Sequence, residues 1–264
     1  MIIGKLKRPR PSSILEELEN PTIFNNKDFG LNEELTGKNI KISIIGSGLP
    51  SHKNITSQTE DVEVFVGGKE PDDITGYSTM LSGLIVSNDK KSIKAMSFMS
   101  GLYCAKIIDN SKEASSDAII AAILWSMIKN VDIIVLPVIV DRNIAALKEI
   151  IKKAYTDSGI IMLVPSNNGK ECNVLSESPF VLPVSYSLRG KIGICKNSTN
   201  RNLIVSVIKN DIYTTYPGNK YSNASLDIIS LGIATSLASL ILEDNKTFNE
   251  PKEIFDILSK IINK

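Results

Sequence analysis

The sequence predicts an α/β fold in which strands and helices alternate around a mainly parallel sheet, wound in both directions. Three observations carry this. Ile133–Val140 is a continuous aliphatic run, the pattern of a parallel strand covered on both faces. From Ile40 onward, short apolar runs alternate with stretches of helical period. Asn39–Ser51 (NIKISIIGSGLPS) carries a buried strand straight into the turn Gly46-Ser47-Gly48. In such sheets chemistry collects just past the carboxyl ends of the strands, so the residue at position 46 bears on function. Here it is a glycine.

The elements follow in order. Residues 1–22 hold Pro9, Pro11 and Pro21 with Ser12-Ser13 and read as an irregular arm, with a short helix over Ser13–Glu19 as an option. Residues 23–264 read as one domain, with no repeat and no domain-splitting linker. Strands are expected at Ile40–Ile45, Asp61–Val66, Leu102–Ile108, Ile133–Val140, Ile160–Val164, Phe180–Val184, Ile192–Cys195 and Leu203–Val207. Helices are expected at Ile74–Val86, Glu113–Lys129, Ile144–Tyr155, Leu226–Glu243 and Lys252–Ile262. In the third, Leu147, Ile150 and Ile151 face inward while Lys148, Lys152 and Lys153 face out.

Composition narrows the function classes. The 264 residues are 42% hydrophobic and 22% charged, enough to bury a substantial core. A net charge of +1 offers no footprint for nucleic acid or an anionic membrane. Met1-Ile-Ile is too short for a leader and no run approaches a membrane span, so a cytoplasmic location is expected. Cys104, Cys172 and Cys195, odd in number and without paired spacing, suit reduced thiols.

The motifs argue mostly by what they lack. Gly46-Ser47-Gly48 has no third glycine opening a helix, since Ser51 stands there, and so departs from the dinucleotide fingerprint. His52 is the sole histidine and lies in a polar turn, which leaves neither a multi-histidine metal site nor a spare base. No metal and no cofactor are expected. Cys172, without a base beside it, would stay protonated.

Segment order nonetheless carries a family resemblance. Lys38–Gly48 resembles the first core strand and Asp-Ser/Thr-Gly motif of the subtilisin-like serine proteases. Gly76-Tyr-Ser-Thr-Met-Leu-Ser-Gly83 resembles their histidine helix start, and Pro165-Ser-Asn-Asn-Gly169 their Ala-Gly-Asn-Glu-Gly turn. Tyr216–Tyr221 and Ala238–Leu242 are similar to the stretches before and within the nucleophile helix. The likeness runs from about residue 30 to 262 and implies the subtilisin-like, three-layer version of the doubly wound fold.

Carried over residue by residue, the resemblance places the catalytic aspartate on Gly46, the histidine on Tyr77 and the nucleophile on Ile228, or on Asp227 if the register shifts by one. Thr79 and Gly83 match the histidine motif, and Asn167 matches the oxyanion-hole asparagine, although an Asn-Asn-Gly run also reads as a simple turn. The segment that pairs with substrate backbone becomes Pro137, Val138 and Ile139, where proline removes one amide donor. That run is either a plain buried strand or an aliphatic lining of the cleft. The resemblance so read implies a chain that is not an enzyme. It would be a pseudoprotease that binds, scaffolds or regulates another protein or peptide, with an active subtilisin-like protease among the candidates. The alternatives are a subunit of a peptide-maturation complex and an enzyme with relocated chemistry at Ser225, Asp227 or Cys172.

Overall fold

The computed structural model describes residues 2–5, 14–68, 70–109, 113–166, 173–188, 193–196, 203–207, 212–244, 253 and 256–258. Its centre is an eight-stranded sheet. In chain order the strands are β1 (Lys41–Gly46), β2 (Thr59–Val64), β3 (Gly101–Lys106), β4 (Ile133–Val135), β5 (Ile161–Pro165), β6 (Leu182–Leu188), β7 (Gly193–Lys196) and β8 (Leu203–Val207). Their spatial order is β7-β8-β6-β5-β4-β1-β3-β2. Among the described residues seven of its strands are parallel, and the edge strand β7 runs antiparallel against β8.

Among the described residues, α1 (Tyr77–Val86), α2 (Ser116–Ile128), α3 (Ala145–Thr156) and α4 (Leu226–Asp244) flank the sheet. The helices α2 and α3 pack together, and α1 packs on α4. All ten residues of α1 are buried, because α4, the sheet and a hairpin enclose it. That hairpin, Tyr213–Tyr216 with Lys220–Asn223, was not foreseen in the sequence; Thr214 and Thr215 donate from it to the carbonyls of Met80 and Thr79 at 2.8 and 2.6 Å. Among the described residues α4 is the one helix long and apolar enough to cross a membrane, and it is mostly buried within the fold.

The expected strand Ile133–Val140 is two strands. β4 stays in the main sheet, Leu136–Val138 is irregular, and Ile139–Val140 turns away into a separate sheet. Proline explains the break, since Pro137 has no amide to continue the ladder. Asp61–Val66 shifts toward Thr59–Val64, and Glu113–Ser115, read as the start of a helix, is a strand capped into α2 by Ser115, whose Oγ accepts from the amide of Ala118 at 3.1 Å.

The stretch expected to be irregular also carries strands. Ile2–Lys5 lies antiparallel between Glu113–Ser115 and Ile139–Val140. Ile14–Leu15 pairs with Tyr221 and Ser222, and Thr22–Ile23 runs parallel to Ile93–Lys94.

Candidate active site

The carboxyl ends of β4 and β5 and the starts of α1 and α4 converge on one small cavity. Tyr77, Pro137, Ile139, Pro165, Ser166, Ser225 and Asp227 line it, and its volume of about 20 Å³ is room for roughly one water molecule. Each wall comes from a strand end or a helix start. Pro137 and Ile139 follow β4, Pro165 ends β5, Tyr77 opens α1, and Ser225 and Asp227 flank the first residue of α4.

Gly46 closes β1 beside this cavity and is buried. A Cβ there would come within 3.0 Å of Ser78 Oγ and 3.7 Å of Pro137 Cγ, so a larger residue would have to displace Ser78. Ser78 is not easily moved. The amide of Ser47 donates to its hydroxyl at 2.9 Å, and its own amide donates to Ser47 Oγ at 3.0 Å. These bonds fix the end of β1 to the first turn of α1.

Asp73, which the sequence reading passed over, sets that turn. Its carboxylate, 3% exposed, accepts from the amides of Thr75, Gly76 and Thr79 at 3.1, 2.8 and 2.8 Å, and from the hydroxyls of Thr75 and Thr79. An acid followed by threonine and glycine just before an apolar helix is the capping signal that could have found it.

Tyr77 therefore enters the cavity from a fixed backbone. Its ring is buried, and burial, then the negative charge of Asp227, raises its pKa and keeps the phenol neutral. Ser225 is exposed and Asp227 half-buried. Ile228 has no exposure at all; it packs in the core and does not line the cavity, whereas its neighbour Asp227 does. Val138 is fully buried behind Pro137 and Ile139. Asn167 and Cys172 lie outside the described residues.

A second polar residue missed in the sequence organises the opposite wall. Asn173 is fully buried; its Oδ1 accepts from the amide of Val140 at 3.2 Å and its Nδ2 donates to the carbonyl of Pro165 at 2.7 Å. It ties Ile139–Val140 to the end of β5.

His52 stands apart from this cavity. It lines a recess of about 440 Å³ with Lys53, Asp72 and Asn219, and meets Tyr221 edge to face at 5.2 Å. Its Nδ1 accepts from the amide of Asn54 at 3.1 Å. Among the described residues no three His, Cys, Asp or Glu side chains group to hold a metal ion.

No family model matches the chain. Individual relatives do. Subtilisin DY from Bacillus licheniformis is 23% identical over 222 residues, covering 81% of this chain and 80% of its own length. Subtilisin amylosacchariticus from Bacillus subtilis subsp. amylosacchariticus is 25% identical over 223 residues, 81% of this chain but 58% of the relative. The major intracellular serine protease of Bacillus subtilis (strain 168) is 21% identical over 245 residues, 86% of this chain and 76% of the relative.

The chain's relatives are subtilisins. The chain spans 30% of the minor extracellular protease Epr of Bacillus subtilis (strain 168), so the correspondence is to part of the longer relatives. The seven parallel strands with flanking helices agree with a subtilisin-like fold. The expectation of a chain that is not an enzyme is overturned. It rested on the identities of Gly46, Tyr77 and Ile228, and the proteins that this chain resembles are named as subtilisins and serine proteases, which points to an enzyme.

Proposed function

We propose that this chain is a subtilisin-like enzyme domain acting on polypeptide. In this reading an extended segment enters beside Pro137–Ile139, and the reacting groups are Ser225 and Asp227, with Tyr77 beside them. The observation that carries the reading is the convergence of these three polar side chains on one cavity at the carboxyl edge of a parallel sheet.

The roles follow from the chemistry of the groups. The Asp227 carboxylate accepts the proton of the Ser225 hydroxyl as its oxygen bonds to the peptide carbonyl carbon and the carbonyl electrons move to oxygen; it returns that proton to the amine nitrogen as the C–N bond breaks, and a water, deprotonated by the same carboxylate, then releases the acyl group from Ser225. Tyr77, held neutral, has a phenolic proton to offer to the developing negative charge. A carboxylate is a weaker base than imidazole near neutral pH, so turnover is expected to be slow. A positioned general base contributes some 10²–10⁴-fold at best, and a poorly matched one less.

A regulatory role toward a second protein is a second reading, in which a strand from that protein takes the place beside Ile139 where the chain's own Lys5 pairs, and main-chain hydrogen bonds give the affinity. The test is incubation of the full chain with a complex peptide mixture and detection of new termini by mass spectrometry. Asp227→Asn and Ser225→Ala are expected to lower the yield at least tenfold. Equal yields from all three chains would overturn the assigned roles.

A further inference from the structure

We propose that the recess around His52 is a binding site for a small zwitterion, an α-amino acid or a short peptide, separate from the reactive cavity. The inference stands on a different part of the molecule and does not depend on the polypeptide reading above.

Two residues that line this recess carry buried polar atoms with no hydrogen bond among the described residues: Nε2 of His52 and Oγ1 of Thr59. His52 is 2% exposed. Its Nδ1 already accepts from the amide of Asn54 at 3.1 Å, and burial, then the charge of Lys53, keeps the ring neutral. A neutral imidazole carries one proton, so that proton sits on Nε2, a donor without an acceptor. The backbone of Lys220 lies near enough to favour the protonated ring, the weakest influence on it, without completing a hydrogen bond to Nε2. Buried polar groups in folded proteins are almost always paired, so two unpaired ones in a single recess mark a place where a ligand supplies the partners.

The walls are braced against one another. The amide of Gly218 donates to the carbonyl of Ser51 at 3.2 Å, and the amide of Lys53 donates to Asn219 Oδ1 at 2.8 Å. The amide of Leu49 donates to the carbonyl of Pro71 at 2.7 Å and that of Asp73 to the carbonyl of Leu49 at 3.0 Å, which brackets Asp72. A recess held in this way needs little ordering to bind. Because the Asn219 oxygen is taken by Lys53, its NH2 group is what remains for a ligand.

The exposed groups select the ligand. The Lys53 ammonium, the Asn219 NH2 and the Nε2 proton of His52 suit a carboxylate, while the Asp72 carboxylate suits an ammonium. The charges of Lys53 and Asp72 cancel, which works against a bare anion such as phosphate and for a molecule that carries both signs. The volume of about 440 Å³ is that of a small-molecule site.

The test uses the full chain labelled with heavy nitrogen at histidine and read by NMR, where His52, the sole histidine, gives the one imidazole signal. Alanine and the dipeptide Ala-Ala are titrated in separate arms, which tells a free amino acid from a peptide. At least one of them is expected to shift the Nε2 signal saturably at millimolar concentration. The N-acetylated and the C-amidated forms of that ligand should bind roughly fivefold more weakly, since each lacks one charge. Lys53→Met and Asp72→Asn, both changes at exposed positions, are each expected to weaken binding by roughly two- to fivefold. Lys53→Met should also erase the preference over the amidated form, and Asp72→Asn the preference over the acetylated one. No saturable shift with either ligand, or equal affinity for free ligand, blocked ligand and inorganic phosphate, would overturn the inference. Binding that leaves the His52 signal unmoved and is lost with Asp227→Asn would place the ligand in the reactive cavity, which overturns this inference and leaves the polypeptide reading intact.

Discussion

Asp73 Oδ2 lies 2.8 Å from the amide nitrogen of Thr79 and 2.9 Å from its hydroxyl. Through this pair a carboxylate in the loop before α1 holds the turn that delivers Tyr77 to the cavity. Replacing Asp73 with alanine strands the buried amides of Gly76 and Thr79. Loss of partners for buried donors costs about 1–3 kcal/mol each, so Asp73→Ala is expected to lower unfolding stability by roughly 3 kcal/mol or more. Urea denaturation measures this, and Asp73→Asn, which keeps one acceptor oxygen and puts an NH2 donor in place of the other, should lose less. Equal losses would show that the charge and not the acceptor geometry matters.

Asn173 provides an analogous test on the other wall. It bonds the backbone of Val140 and Pro165, and also accepts from the amide of Leu175 at 3.3 Å. Asn173→Ala is expected to cost about 2–4 kcal/mol and to loosen Ile139–Val140. The check is thermal melting together with faster amide exchange at Val140. Unchanged exchange there would contradict the role assigned to Asn173 in shaping the cleft.

His52 gives the pH dependence. Burial, then the charge of Lys53, lowers its pKa from 6.5 to about 4, with Asp89 opposing. The folded chain holds the imidazole neutral while the unfolded chain protonates it near 6.5, so the unfolded state binds more protons in between. Stability present above pH 6.5 is lost as the pH falls toward 4, by up to about 3 kcal/mol. Asp132 works the other way: burial raises its carboxyl above 3.8, and it offsets part of the loss near the acid end. Chemical denaturation from pH 7 to 4.5 should show the slope, and His52→Gln should flatten it. A variant with the unaltered slope would assign the effect to other groups.

The sheet was legible where burial is uniform. Ile42, Ile44 and Ile45 are fully or almost fully buried, and the apolar run that encodes them predicted β1 to within a residue. The course of the chain beyond the Pro137 break was not legible, because Val135, Val138 and Val140 are equally buried whether the strand continues or turns away. What decides it is the pairing of Ile139 with Lys5, over a hundred positions distant, for which no local pattern exists. The position that the resemblance gives to the nucleophile shows the same limit at finer scale. Adjacent residues on a helix differ by about 100°, so one step separates Ile228 in the core from Asp227 in the cavity. The sequence contained both residues and no means of choosing the face.

The account's central claim is that extended polypeptide is engaged at this cavity. The direct measurement is photo-crosslinking of the full chain with peptides that carry a photoreactive residue, followed by mass-spectrometric mapping. The account predicts crosslinks at Pro137–Val140 and at Ser225–Asp227. Crosslinks confined to other surfaces, such as the recess around His52 and Asn219, would contradict it.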